Sequence, residues 1–347
     1  MSLQRKLSMA VLALAVLTTT TGLAAPPVPG WQLADTGSTA RFRGLAPVSD
    51  RVAWVAGSAG TILRTVDGGR TWQSVGPAGT EELQFRDIEA FDATHAVALT
   101  IGEGTDSRLY ATSDGGRTWT ETFRNDEPTA FYDCISFTDR RHGLALSDPV
   151  GGKFRILATA DGGRSWQVRS DAGMPAALPG EFAFAASGTC LVSAGGRYYF
   201  ATGGGAAARV FTSRDGGRSW TVAETPIPSG ASAGIYSLAV QRSGAAIAVG
   251  GDYTTPESAP AAAAYLLGRT WTVARTVPGE YRSGSAWLGR GPVALAVGPT
   301  GSDISYNGGR TWERFDTGSF DAVLCAPDAS CWASGEQGRV AKLTWSH

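Results

Sequence analysis

A seven-bladed β-propeller, each blade a four-stranded antiparallel sheet, is the fold this sequence predicts. Three observations lead to it. An eight-residue motif, first met at 65–72 as Thr-Val-Asp-Gly-Gly-Arg-Thr-Trp, returns at 112–119, 159–166, 213–220 and 305–312, the last with Asn307 in the acidic place. Counting Trp271 from a worn copy, Gly268-Arg269-Thr270-Trp271, the motif tryptophans fall 47, 47, 54, 51 and 41 residues apart. Such a period belongs to radially arranged or stacked repeats rather than to independent domains. The composition, with Gly 46, Trp 11 and 18% charged residues, suits short strands joined by tight turns.

Taken in order, the chain begins with a targeting segment. Arg5 and Lys6 precede an apolar run, 9–17, too short to span a bilayer comfortably, and small residues follow at 22–25. Residues 1–25 read as a secretory signal peptide, so the mature chain, 26–347, is expected to be a single soluble domain, periplasmic or secreted, with no membrane span left. A strand at 31–35 stands alone, with no motif before it. Blade one is then read at 41–48, 51–56, 60–65 and 71–75, and blade two from 85 through 96–99, 108–112 and 119–123. Blade three takes 131–137, 143–146, 154–159 and 166–169. Blade four takes 181–185, 189–194, 209–213 and 220–223, with an insertion at 198–208. Blade five uses 235–240, 245–250, 262–267 and 271–274 with an exposed loop at 254–261, and blade six 281–288, 293–297, 303–306 and 312–315. The remaining runs, 320–326, 331–334 and 339–343, lack a fourth strand. The orphan at 31–35 supplies it, which removes open sheet edges and closes the ring.

Within each motif the acidic residue (Asp67, Asp114, Asp161, Asp215, with Asn307 as its amide counterpart) precedes or adjoins a Gly-Gly pair suited to positive φ. Its side-chain oxygens are placed to accept nearby backbone N–H groups. The tryptophans, Trp72, Trp119, Trp166, Trp220 and Trp312, are then free to bury their rings between adjacent blades. The pattern Ser/Thr-x-Asp-x-Gly-x-Thr-Trp resembles the Asp-box of bacterial neuraminidase-type repeats. That resemblance implies structural hairpins on the face of the propeller away from any active site.

Chemistry is therefore sought on the opposite face, where the inner strands begin and the second-to-third loops turn. The inner-strand starts bring Arg43, Arg86, Asp87, Asp133, Glu181, Tyr236, Arg282 and Asp321, and the loops bring Glu103, Asp148, Asp252, Asp303 and Glu336. Arg209 opens the third strand of blade four on the same side. Charges of both signs at one rim make a polar binding site. Thirty basic residues against thirty-one acidic ones leave no basic excess, so nucleic acid is not an expected partner. His95, His142 and His347 stand in unrelated places, giving neither a metal set nor a triad, and Gly203-Gly204-Gly205 lacks the strand–helix setting of a phosphate loop. No cofactor is expected, and oxidoreductase chemistry finds no residues to support it. Cys325 and Cys331 flank a turn and are read as a disulfide across the last blade's hairpin. Cys134 and Cys190, in neighbouring blades, either pair or stay as buried thiols.

The strings Phe85-Arg86-Asp87-Ile88-Glu89, His142-Gly143-Leu144-Ala145-Leu146-Ser147-Asp148-Pro149 and Val249-Gly250-Gly251-Asp252-Tyr253 resemble exported bacterial propellers related to the photosystem II stability and assembly factor. The resemblance covers 31–345. It implies a seven-bladed, non-catalytic assembly factor whose arginine-rich surface binds a membrane protein. The expected function is thus an exported, monomeric scaffold that holds a protein or peptide at the channel mouth, with Arg43, Arg86 and Arg282 as anchors. The alternative is a sialidase-like glycoside hydrolase. It would clamp a carboxylate with the same three arginines and use Tyr281 or Tyr236 with Glu181 as nucleophile pair and Asp148 as acid. Against it, Arg43 is followed by Gly44-Leu45 where that family carries Ile-Pro, and the blade count differs.

Overall fold

The computed structural model describes residues 27–346; the expected signal peptide and His347 lie outside the described residues. Seven four-stranded antiparallel sheets surround one axis. Their inner strands are Phe42–Pro47, Gln84–Ala90, Tyr132–Phe137, Leu191–Ala194, Ala233–Val240, Gly284–Trp287 and Ala322–Cys325, each in contact with its neighbours around the ring. Six sheets follow chain order. The seventh joins the N-terminal strand Val28–Ala34 to the last three, with Trp31 opposite Leu343. That closure matches the sequence expectation. Among the described residues no helix is long and apolar enough to cross a membrane.

The core lies between blades rather than within any one of them, because a single sheet of short strands cannot cover its own faces. Trp220 packs with Leu144, Leu146 and Phe154 of blade three against Phe200 of blade four. Trp312 does the same between Ile247 and Ala294, and Trp119 meets Trp54 edge-on at 6.3 Å. Trp72 closes the circle by meeting Trp332 of the last blade at 6.1 Å.

The motif supplies the turn that delivers each tryptophan. In its first copy Thr65 Oγ1 donates to Asp67 Oδ1 at 2.9 Å and accepts Gly69 N at 2.9 Å. Asp67 in turn accepts Thr71 N at 3.0 Å and the Thr71 hydroxyl at 2.7 Å. The same set recurs around Asp114, Asp161 and Asp215, and Asn307 reproduces it with its amide donating to Thr311 Oγ1. The second glycine is needed twice over: Gly116 has φ +82, and a Cβ there would stand 2.7 Å from Val75 of the preceding blade.

Blade four departs from the sequence expectation. Its inner strand is Leu191–Ala194, and its second strand, Arg197–Ala201, paired on both sides, takes up the start of the expected insertion at 198–208. Residues 181–185, expected as the inner strand, and the stretch up to Cys190 instead cross the channel mouth with alternating Phe182, Phe184 and Ala186. Phe182 exchanges backbone bonds with Gly203 at 3.0 and 3.1 Å, and Thr189 O accepts Leu238 N of blade five at 3.0 Å. The alternation is real, but its apolar side faces an aromatic cluster, where Phe184 stacks on Tyr236 at 3.8 Å and Tyr236 meets Tyr281 at 4.7 Å.

Both cysteine pairs are disulfides. Cys325–Cys331 bridges the hairpin of the last blade as expected, and Cys134–Cys190 joins the inner strand of blade three to the end of the crossing segment, Cα atoms 6.1 Å apart.

Candidate functional site

A bulge recurs in the inner strands, and it decides which side chains reach the channel mouth. Register shifts after Phe42, Phe85, Tyr132 and Ile235, so that Arg43, Arg86, Asp133 and Tyr236 are each left out of the ladder. An unpaired residue at a bulge turns its side chain out of the sheet's alternation. All four line one cavity of about 740 Å³ at the mouth opposite the motif turns. Asp148 reaches it from a register shift in the second strand of blade three, Gly143–Val150. Tyr253, Pro299 and Glu336 reach it from second-to-third loops, and Phe182 to Ala186 of the crossing segment wall it on one side.

The cavity is polarised. At one end Arg41 holds Asp321 through two 2.7 Å bonds, Nε to Oδ2 and Nη2 to Oδ1. Arg43 lies 3.7 Å from the same carboxylate, and its buried Nε lacks a partner. Burial, then repulsion from Arg41, lowers the pKa of Arg43, though arginine stays charged. Arg86 reaches across to donate to Ala185 O at 3.0 Å, tying blade two to the crossing segment. At the other end stand two carboxyls. Asp133 is 1% exposed, and burial, reinforced by the charge of Asp148, pushes its pKa well above the carboxylate range. Asp148 accepts Ala183 N at 2.8 Å, and burial raises it to about 7. Between these ends stand the aromatic rings, with Tyr236 donating its hydroxyl proton to Ser232 O at 2.6 Å. Burial drives the phenols of Tyr236 and Tyr281 above their usual range, so both stay protonated donors.

Of the residues expected at this rim, Arg43, Arg86, Asp133, Asp148 and Tyr236 come together in the cavity. Asp321 and Glu336 join them there, whereas Asp87, Glu181, Arg209, Asp252, Arg282 and Asp303 lie outside it, each with a structural partner. Asp87 is buried and accepts Ile88 N at 2.8 Å and Ile135 N at 2.7 Å, joining two inner strands. Glu181 accepts Arg209 Nε at 2.8 Å and the Thr202 hydroxyl at 2.6 Å, so that this pair clamps the start of the crossing segment onto blade four. Arg282 is wholly buried and bonds Asp303 at 2.6 Å. Asp252 caps its own turn through Thr254 N at 2.8 Å while the adjacent Tyr253 lines the cavity. The three-arginine clamp therefore does not form: Arg282 points into an ion pair, and Glu181 is already engaged.

Sequence reasoning passed over Arg41, Phe131, Phe182, Phe184 and Tyr253. The missed signal is a four-residue phrase at each bulge: Phe42-Arg43-Gly44-Leu45, Phe85-Arg86-Asp87-Ile88, Tyr132-Asp133-Cys134-Ile135 and Ile235-Tyr236-Ser237-Leu238. A large apolar residue precedes the cavity residue each time.

No family model matches the chain, and no curated protein matches it. Solved structures do. YCF48 bound to D1 peptide is 15% identical with a TM-score of 0.65, covering 92% of this chain and 99% of that one. YCF48 from Cyanidioschyzon merolae is 15% identical with a TM-score of 0.63, covering 90% and 98%. A streptogramin B lyase is 12% identical with a TM-score of 0.63, covering 92% and 98%. At these identities the likeness is one of fold.

Proposed function

We propose that this chain is an exported, non-catalytic propeller that holds a peptide segment of a protein partner in the channel-mouth cavity. The observation that carries the reading is the cavity itself: bulged residues of four blades aim both charge signs and an aromatic ring at a single concave point. Concave sites with a large apolar wall and a few polar groups recognise ligands. The channel-mouth volume, about 740 Å³, has room for a few side chains. That YCF48 shares the fold and binds D1 peptide supports the choice of a peptide over a small metabolite. Two disulfides support residence in an oxidising compartment. On this reading residues 1–25 direct export, and the mature chain works as a monomer.

The test is a selection of displayed dodecapeptides on the secreted protein, followed by affinity measurements with Arg43→Ala, Arg86→Ala and Tyr253→Ala. Loss of about tenfold or more in each is expected. Peptides indifferent to all three changes, or steady turnover of a fluorogenic sialoside, would defeat the proposal. Mass spectrometry of the secreted chain and light scattering check the cleavage and the monomer.

A further inference from the structure

The acids withdrawn from water in this protein are satisfied in different ways, and Asp87 accepts the backbone N–H groups of Ile88 and Ile135. Glu181 has Arg209, Asp303 has Arg282, and Asp321 has Arg41. Asp133 and Asp148 have no such neighbour: among the described residues neither takes part in an ion pair, and Asp133 Oδ2 is buried with no hydrogen-bond partner. A buried carboxyl and a half-buried one held together without a counter-charge are costly, and the remedy used for Glu181, Asp303 and Asp321 is an arginine. Here the counter-charge has been left out, and the place where it would sit is cavity rather than protein.

The surroundings fit a cation. Asp133 is the residue ejected by the bulge of blade three, and Asp148 is anchored to Ala183, whose neighbours Phe182 and Phe184 both line the cavity, as does Phe131. Aromatic faces beside carboxylates form the usual seat of ammonium and guanidinium groups. We propose that the Asp133–Asp148 corner receives a basic side chain, lysine or arginine, of the bound peptide. This rests on the peptide-binding reading above and adds the chemistry of one ligand residue. The charged groups that share the cavity from other blades are Arg86 on the neighbouring inner strand, engaged with Ala185 O, and, beyond it around the ring, Arg41 and Arg43 with Asp321 and Glu336. They leave an acidic side chain of the same peptide a place at the opposite end. Binding a cation stabilises the ionised pair and expels the proton that the two carboxyls otherwise retain near neutrality.

The experiment titrates the secreted protein with N-acetyl-arginine methylamide, with its neutral citrulline counterpart, and with spermidine. The arginine probe should bind about tenfold or more tightly than citrulline. Asp133→Asn and Asp148→Asn should each remove about tenfold of that affinity while the melting temperature holds or rises. Calorimetry in two buffers of different ionisation enthalpy should register proton release at pH 7 that disappears in the variants. Equal binding of citrulline, or undiminished binding by both variants, overturns the inference; so does capture of spermidine without the arginine probe, which would assign the corner to free polyamines. Selected dodecapeptides distinguish this failure from that of the broader reading. Retained peptides without Lys or Arg enrichment refute the basic side chain alone, whereas arginine-probe binding with no peptide retained refutes peptide binding and keeps the cation corner.

Discussion

Arg282 and Asp303 form an ion pair withdrawn from water, Nε to Oδ2 at 2.6 Å, with side-chain exposures of 0% and 2%. Arg282 also donates to Tyr281 O and to the Thr300 hydroxyl, both at 2.9 Å, and so fastens the approach to blade six's inner strand onto the loop that follows its second. Burial raises the pKa of Asp303 in spite of the arginine, which shows how much solvation the pair has given up.

Removing only one partner leaves the other charged and dry. Arg282→Ala is expected to destabilise the fold by about 3–5 kcal/mol, while Arg282→Met with Asp303→Leu should recover most of the loss. Arg86→Ala, which removes one part-buried hydrogen bond to Ala185 O, should cost only about 1 kcal/mol. Urea midpoints decide the matter, and equal midpoints for Arg282→Ala and Arg86→Ala would show that the buried pair holds nothing together.

The ring and its closure could be read from the sequence because they are periodic: the motif recurs, and three terminal strands called for a fourth. The function of individual charges was not legible in the same way. Arg282 and Arg86 both follow large aromatic residues in sequence, yet Arg282 N donates to Gly250 O as Phe42 N does to Gly335 O, so Arg282 takes a buried place and Ser283 the one that corresponds to Arg43. What separates the two arginines is a partner set by tertiary register, Asp303 being 21 residues away. The stretch 181–190, divided between expected strands at 181–185 and 189–194, misled for a related reason. Their alternation reports one apolar side and one polar side, which a strand in a sheet and a segment laid across aromatic rings satisfy equally. Cys190 at its end was the available clue, since its link to Cys134 holds the segment toward blade three.

The two disulfides should differ in weight. Cys134–Cys190 closes 56 residues and Cys325–Cys331 only 6; on loop entropy the first stabilises by about 4 kcal/mol and the second by about 2 kcal/mol. Thermal melts of Cys134→Ala/Cys190→Ala and Cys325→Ala/Cys331→Ala should rank in that order. A larger loss from the short loop would mean that the crossing segment is held mainly by Asp148, Arg86 and Glu181.

Stability should peak on the acid side of neutrality. Burial raises Asp148 and Glu89 to about 7, so in the window above their ordinary values of 3.8 and 4.5 the folded state binds more protons than the unfolded one. Stability therefore falls as pH rises through that window toward 7. The motif carboxylates act in the opposite sense. Hydrogen bonds from Thr71, Thr118 and Ser219 help hold Asp67, Asp114 and Asp215 at about 2. Their contribution is complete above 3.8 and disappears as pH drops through 2. The melting temperature should be highest near about pH 5; Asp148→Asn should flatten the neutral limb, and Asp67→Asn with Asp114→Asn the acid limb. A melting temperature constant from pH 5 to 8 contradicts the buried-acid half of this account.

The seam between the chain ends is the remaining point of weakness. Trp31 donates its Nε1 to Ser302 Oγ at 2.9 Å and packs on Phe315 at 5.8 Å and Phe320 at 5.3 Å, so the N-terminal strand is pinned to blade six as well as to its own sheet. Trp31 is only half-buried, and Trp31→Ala should therefore cost about 2 kcal/mol, less than a fully buried tryptophan. Deleting 27–35 removes all seven pairings from Val28↔Ser346 to Ala34↔Val340 and leaves the outer edge of Val340–Ser346 unpaired. An open edge of that length recruits other strands. The truncated chain should melt lower and form dimers or larger species by light scattering, and adding a synthetic peptide of residues 27–35 should return it to monomer. If the truncated chain stays monomeric with an unchanged melting temperature, ring closure is carried by the inner strands alone and the borrowed strand is dispensable.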